Sequence, residues 1–227
     1  MKCYCRQEAK GFYYVVEDAL KETHELLQKA FFTKKGDVFL KWYPVDMPNK
    51  EIVVLNYERL APNIFMRNKA NWENALGIFC KTAKSNSISF VISGSASASI
   101  HGVDISPTDL DISIDINDFM KLKDIFKEYI IEPLVYNDSL LMSKYFGRLC
   151  IDNVWLDVDA APNKGYEIKE IEIKFWNRYI LYVQSLKECL DKYKTIKDGM
   201  KEHYFEYIEK IEKFFKKKYR KIRAYCT

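Results

Sequence analysis

The spacing of apolar positions divides the chain into helical and strand-like segments. Apolar residues that recur three and four positions apart predict helices over 13–32, 68–84, 95–102, 118–131, 185–196 and 201–223. Alternating or continuous apolar residues predict strands over 37–45, 50–57, 87–93, 109–116, 147–151, 154–160, 166–175 and 179–184. The first two strands flank the segment 46–50 and predict a hairpin, and Asp152-Asn153 predicts a tight turn between two later strands.

The order of these elements predicts an α+β protein with a mixed β-sheet flanked by helices. Residues 1–66 are predicted to form an N-terminal extension of one helix and one hairpin. Residues 67–165 alternate helices and strands and are predicted to form the core, and residues 166–227 to add strands and a helical C-terminal part. A chain of 227 residues is long enough for one sizeable domain with such appendages.

Composition and charge are those of an ordinary globular protein, with 48% hydrophobic and 30% charged residues and a net charge of +4. The six cysteines are scattered without a C-x-x-C pair, which favours free thiols in a reducing cytoplasm. The N-terminus lacks the apolar core of a signal peptide, and no apolar run approaches the roughly 20 residues that span a bilayer. We therefore expect a cytoplasmic protein without a membrane partner.

The stretch from Gly94 to Ile112, GSASASIHGVDISPTDLDI, carries the most specific chemistry. A strand precedes Gly94, whose lack of a Cβ lets the backbone approach a ligand closely. The N–H groups that begin the next helix, with the hydroxyls of Ser95 and Ser97, suit a phosphate. Asp109 and Asp111 lie two apart on a strand and so share a face, where two carboxylates repel each other unless a cation such as Mg²⁺ lies between them.

A third carboxylate is predicted on the strand VWLDVDA, where Asp157 and Asp159 leave the same face. Either side chain could reach the metal pair and accept a proton from an attacking hydroxyl. A phosphate cradle beside paired carboxylates is typical of phosphoryl or nucleotidyl transfer. An ordinary strand-to-helix turn beside solvent-exposed aspartates is the alternative without function.

These residues resemble the nucleotidyltransferase (polymerase-beta-like) superfamily. Gly94-Ser95, thirteen intervening residues and Asp109-Leu-Asp111-Ile follow the order and spacing of its motif, and a later apolar-Asp-apolar segment corresponds to Leu156–Val158. His101-Gly102 is similar to a dipeptide found before the aspartates in small prokaryotic members, namely aminoglycoside nucleotidyltransferases and toxin-type enzymes of abortive-infection systems. The resemblance covers about residues 75–162.

The resemblance implies roles for the matched positions. Gly94, Ser95 and Ser97 would bind the nucleotide, here expected to be ATP or another NTP. Asp109, Asp111 and Asp157 would be catalytic and would hold two Mg²⁺ ions, with Asp157 also acting as base and Asp159 as the alternative. The segment before Asp109 lacks the arginine that many relatives have, so the cation that faces the triphosphate is expected elsewhere, at Lys164, Lys192 or Lys194.

The predicted activity is transfer of a nucleoside monophosphate from an NTP to an acceptor hydroxyl with release of pyrophosphate. The alternative is a non-catalytic module of the same fold, such as an antitoxin or a binding subunit. A small molecule or a protein is preferred to RNA as acceptor, because the net charge is modest. The basic segment of the last helix is interpreted as a solvated face docked through its aromatic residues, with nucleic-acid binding as the alternative. It contains Lys213, Lys216, Lys217, Lys218, Arg220, Lys221 and Arg223.

Overall fold

The computed structural model describes residues 1–44, 46–65, 70–136, 143–162, 167–196 and 202–225. Its strands are β1 (Lys2–Glu8), β2 (Gly11–Glu17), β3 (Thr33–Lys35), β4 (Val38–Pro44), β5 (Phe90–Ser93), β6 (Asp109–Ile114), β7 (Ile130–Tyr136), β8 (Ser143–Ile151), β9 (Val154–Pro162), β10 (Ile171–Trp176) and β11 (Tyr179–Gln184). Its helices are α1 (His24–Lys29), α2 (Lys50–Phe65), α3 (Trp72–Ser85), α4 (Gly94–Ile100), α5 (Ile116–Ile125), α6 (Leu186–Ile196) and α7 (Glu202–Tyr225), and a 3₁₀ turn spans Lys21–Thr23.

A seven-stranded mixed sheet in the order β10-β11-β5-β6-β9-β8-β7 organises the molecule. Strands β6 and β9 run parallel, as do β11 and β5, and the other neighbouring pairs are antiparallel. Helix α3 packs on one face, where its Phe79 meets Phe90 of β5 and Phe126 after α5. This sheet with its flanking helices confirms the predicted α+β class.

The N-terminal extension forms a second, four-stranded sheet in the order β1-β2-β4-β3. It packs together with α2 on the β7 end of the large sheet. The Tyr14 hydroxyl donates to the carbonyl of Ile131 over 2.8 Å, and the Asn56 amide donates to the carbonyls of Lys127 and Ile130 over 2.7 and 3.0 Å. These bonds hold the extension and α2 against β7 and the residues just before it.

Two predicted elements of this extension are wrong. The helix predicted over 13–32 is a strand up to Glu17, and only His24–Lys29 are α-helical. Strand β2 is buried on both faces between β1 and β4, so its apolar residues run on without the alternation that marks a half-exposed strand. The hairpin partner predicted over 50–57 is the first half of α2.

Helix α2 explains the second error. Val53, Tyr57, Ala61 and Ile64 are buried at helical spacing, and they face the extension and β7. The adjacent Val53 and Val54 have strand propensity, but burial of one helical stripe outweighs this weak local preference. The remaining predicted helices and strands have counterparts in the structure, which adds β1, β3 and β7.

The C-terminal helices pack on α4 through a separate apolar cluster. Ala98 and Val103 contact the α6 residues Cys189 and Tyr193 and the α7 residue Ile211. Phe214 and Phe215 of α7 pack at its border while Lys216–Lys218 are exposed, as predicted for this part of the basic segment. The side chains of Arg220, Lys221 and Arg223 lie outside the described residues. No helix in the described ranges combines the length and hydropathy needed to cross a membrane. The predicted boundaries at 66 and 165 lie outside the described residues and stay predictions.

Candidate active site

Gly94 occupies the turn between β5 and α4 in a conformation that excludes a side chain. Its φ is +63°, and a Cβ placed on it would overlap the Oδ2 atom of Asp111. The turn is held from the other side because the Gly94 N–H donates to Gln184 Oε1 over 3.4 Å and the Cys189 thiol donates to the Gly94 carbonyl over 3.5 Å. The absent side chain lets the Asp111 carboxylate lie directly against the backbone.

Strand register brings the three predicted acidic residues onto one face of the large sheet. Asp111 pairs with Ser93 on β5 and with Asp157 on β9, so these three side chains share a sheet face. Asp109 precedes Asp111 by two positions on that same face, and both are partly exposed while Leu110 and the next apolar residue of β6 are buried. Parallel partners lie about 4.8 Å apart across a sheet, so Asp111 and Asp157 are immediate neighbours.

Asp157 is held by a buried chain of charges that begins with Arg148 on β8. The guanidinium Nε lies 2.6 Å from Asp157 Oδ1 and Nη2 lies 3.2 Å from Oδ2, a bidentate pair. Its Nη1 donates to Glu132 Oε1 over 3.0 Å, and Lys41 donates to Glu132 Oε2 over 2.7 Å. Four charged side chains of alternating sign therefore connect the site to the N-terminal sheet.

Three of these four charged side chains are buried enough to have shifted pKa values. Burial alone would raise the pKa of Glu132, but Arg148 and Lys41 hold it below its usual value. Burial lowers the pKa of Lys41 to about 8, against the opposing effect of Glu132. Burial opposes protonation of Arg148 too, yet Asp157 and Glu132 raise its pKa. The Arg148 guanidinium also lies over the Trp155 ring, 5.1 Å from its centroid.

Asp159, the alternative third acid, lies one residue pair further along β9 and opposite Ser113 rather than Asp111. Its Oδ2 accepts a bond of 2.6 Å from the Ser143 hydroxyl. Burial raises the pKa of Asp159, and the Ser113 and Ser143 hydroxyls only partly offset this. Of the two candidates on β9, Asp157 is the one beside Asp111.

The residues predicted to contact the nucleotide differ in how exposed they are and in which groups they already bond. Ser95 and Ser97 are buried in α4, and the Ser97 hydroxyl donates to the Gln184 carbonyl over 2.7 Å, which anchors the helix to β11. Lys192 on α6 is partly exposed, and its Nζ lies 3.5 Å from Glu188 Oε1. Its charge slightly opposes the rise in the pKa of Asp159 that burial causes. Lys194 pairs with Glu212 of α7 over 2.6 Å. Lys164 lies outside the described residues.

The residues present fit a divalent cation in part. Asp109 and Asp111 supply hard oxygen ligands on one partly exposed face, the donors that Mg²⁺ prefers. Among the described residues, no group of three or more His, Cys, Asp and Glu side chains is arranged as a metal site. Both oxygens of Asp157 accept hydrogen bonds from Arg148. Each oxygen has a further lone pair, so Asp157 could share an ion with Asp111 while it keeps these bonds.

Three tyrosines that the sequence analysis did not single out form a wall beside the acids. Ring centroids of Tyr193 and Tyr204 lie 5.3 Å apart, and those of Tyr193 and Tyr207 lie 5.8 Å apart. Burial is the main cause that raises the pKa of Tyr204 and of Tyr207, the latter to about 12, and Asp109 adds to both shifts. Helical spacing could have indicated the pair on α7, but its proximity to Asp109 depends on how α7 folds back.

Comparisons with known proteins found matches among solved structures. No protein-family model matches the chain, and no curated protein matches it significantly. A provisionally assigned nucleotidyltransferase from Thermotoga maritima is 17% identical with a TM-score of 0.47, covering 66% of this chain and 99% of its own. ANT(2'')-Ia in complex with adenylyl-2''-tobramycin is 14% identical with a TM-score of 0.44, covering 67% and 95%. A solution structure of ANT(2'')-Ia is 14% identical with a TM-score of 0.39, covering 79% and 98%.

Replacing Gly94 by alanine tests the contact between the turn and Asp111. We expect Gly94→Ala to destabilise the fold by more than the roughly 1–3 kcal/mol of an ordinary left-handed residue, because the added Cβ also displaces Asp111. Gly36→Ala is the matched control: Gly36 has a φ of +60° and no atom within 4 Å of its would-be Cβ. Chemical denaturation of both variants measures the difference, and equal losses would contradict the overlap.

The depressed pKa of Lys41 predicts a pH dependence of stability. The folded pKa of about 8 is below the unfolded model value of 10.5, so the unfolded chain binds more protons between these values. The free energy of unfolding of the wild type should therefore rise, relative to that of Lys41→Met, as the pH increases from 8 to 10. Parallel urea titrations of the two proteins at each pH give this difference, and a flat or falling difference would contradict the lowered pKa of Lys41.

Proposed function

We propose that the chain is a metal-dependent nucleotidyltransferase that moves an NMP from an NTP to an acceptor hydroxyl. The observation that carries this proposal is the Gly94 turn packed against Asp111, with Asp109 and Asp157 on the same sheet face. A phosphate cradle and paired carboxylates are the parts that such transfer requires. A non-catalytic module of this fold is the second candidate, but it has no need of three neighbouring acids.

Each residue has a defined task in the proposed reaction. Asp109, Asp111 and Asp157 would hold two Mg²⁺ ions, which when bound supply positive charge to the phosphates. The acceptor oxygen attacks the α-phosphorus, the bond to the bridging oxygen breaks, and pyrophosphate leaves. Asp157 takes the proton of the acceptor hydroxyl, and Arg148 acts as a positioning residue that fixes the orientation of its carboxylate.

The surroundings of the acids suggest where the substrates lie. The Gly94-Ser95 turn is proposed to face the triphosphate, and Lys192 of α6 is proposed as the cation that contacts it. The Tyr204 and Tyr207 rings, close to Asp109, offer aromatic faces on which a base or a ring of the acceptor could stack. The acceptor is proposed to be a small molecule or a protein.

Coupled binding of metal and nucleotide tests the proposal. We expect Mg²⁺ and a non-hydrolysable NTP to increase each other's affinity in calorimetric titrations, because the ions are shared by the carboxylates and the phosphates. Asp109→Asn and Asp111→Asn should remove this coupling and lower transfer of label from NTP to acceptor by about 100-fold or more. Asp124→Asn, an exposed residue of α5, is the control and should change neither quantity. Independent binding of the two ligands in the wild type would favour the non-catalytic module.

The two acids of β9 should differ in their effect on transfer. Asp157→Asn is expected to lower the rate by roughly 10²–10⁴-fold, the range for loss of a general base, while binding of the NTP persists. Asp159→Asn should have the smaller effect, since Asp159 lies beside Ser113 and bonds to Ser143. Single-turnover assays give the rates, and thermal unfolding verifies that both variants are folded. An inactive Asp159→Asn with an active Asp157→Asn would exchange their roles.

A further inference from the structure

The large sheet ends at β10, and this end differs from the β7 end. Within the described ranges, β10 pairs with β11 alone, so one row of its backbone N–H and C=O groups lacks a strand partner. Such an edge is a template for another strand, and proteins usually protect it with charges, proline or a covering element. Strand β10 spans the six residues Ile171–Trp176 and contains no proline.

The side chains around this edge form an unusually exposed apolar surface. Register places Ile173 beside Tyr182 and Phe175 beside Ile180, so they share one sheet face with Ile171. The exposed fractions are 49% for Ile171, 65% for Ile173, 77% for Phe175, 70% for Ile180 and 46% for Tyr182. Isolated exposed apolar residues are common, but a contiguous group on a strand at the sheet edge marks an interaction surface.

The two charged residues of β10 occupy its opposite face. Glu172 and Lys174 alternate with the apolar residues and form an ion pair of 2.7 Å within the chain. Their positions are symmetric about Ile173, one residue before it and one after it. If β10 meets an antiparallel copy of itself with Ile173 at the centre, Glu172 faces the partner's Lys174 and Lys174 faces the partner's Glu172. The pattern of β10 is therefore complementary to itself.

We propose that two copies of this chain associate through antiparallel pairing of β10 with β10 of the partner, centred on Ile173. The pairing satisfies the free backbone groups, joins the two sheets, and brings Phe175 beside the partner's Ile171. Its two-fold symmetry is that of an isologous interface, in which the same patch serves both subunits.

The charges select this register from its neighbours. A shift that keeps the apolar residues on one face moves the centre to Glu172 or to Lys174, and then two like charges face each other. A shift of the other parity places apolar residues opposite charged ones on the wrong face. An unrelated strand would have to match this order of charges, whereas a second copy matches it by symmetry. These considerations favour the second copy as the occupant.

A charge-complementation experiment tests the interface. Light scattering and sedimentation across micromolar concentrations should give the mass of two chains for the wild type. Glu172→Lys and Lys174→Glu should each weaken dimerisation by about 10-fold or more, because both cross-strand pairs become like-charged. An equimolar mixture of the two variants should recover the dimer, since each Lys pair then faces a Glu pair. The same-chain ion pair is lost in both variants, so recovery reports contact between chains.

The controls separate this interface from the fold and from the proposed activity. Lys84→Glu, an exposed change on α3, should leave the dimer intact, and thermal unfolding should show that every variant is folded. A monomeric wild type, a dimer unaffected by either variant, or a mixture that stays monomeric would each overturn the proposal. Mass is measured without substrate, so the outcome is independent of whether the chain transfers nucleotides.

Discussion

A single buried guanidinium, that of Arg148, is the constraint on which the arrangement of the site depends. Only 3% of this residue is exposed, and a charge removed from water to that extent must be paired on all sides. Asp157 and Glu132 meet this requirement from β9 and β7, and Lys41 neutralises the remaining charge from the N-terminal sheet. Because these buried charges must balance, the ion pairs connect β7, β8 and β9 of the large sheet to β4 of the N-terminal sheet, which is distant in sequence.

This constraint connects the N-terminal extension to the candidate site. Lys41 is one ion pair removed from Arg148, and Arg148 touches the proposed base directly. The docking bonds from Tyr14 and Asn56 to β7 keep the two sheets in register for this contact. The extension is therefore a support for the orientation of Asp157 in addition to any role it has in acceptor binding.

The central motif could be predicted from sequence because its physics is local. A glycine in a tight turn and aspartates two apart on a strand determine their own placement, and β5, α4, β6 and the β8–β9 turn agree with the predictions. The extension was less predictable, since β2 is buried on both faces and the Val53-Val54 pair resembles a strand. In both places tertiary burial outweighed the pattern of one short segment.

Most supporting residues of the site could not have been found in this way. The turn at Asp152-Asn153 places Arg148 opposite Asp157, but Glu132 and Lys41 come from two other strands that nothing in the spacing of the sequence links to Arg148. Tyr204 and Tyr207 likewise approach Asp109 only because α7 packs back on α4 and α6. Ser97 shows the converse case, a motif residue whose hydroxyl is used to anchor its own helix. The sequence indicated the proposed reacting groups, while the groups that orient them depend largely on contacts between distant segments.

The two edge strands of the large sheet, β10 and β7, differ in how they are covered, and this difference limits how far the sheet can extend by pairing with other copies. At one end, side chains from α2 and β2 bond to the carbonyls of Ile130 and Ile131, which hinders a further strand from adding at the start of β7. A large sheet with two open edges could extend into a filament, because each added copy exposes a new edge like the last. A large sheet with one open edge is completed by the first partner that pairs with it. The side chains that bond to β7 would therefore hinder growth of the large sheet into a fibre through its second edge. Residues of β10 cannot do this, because they lie at the opposite end of the sheet.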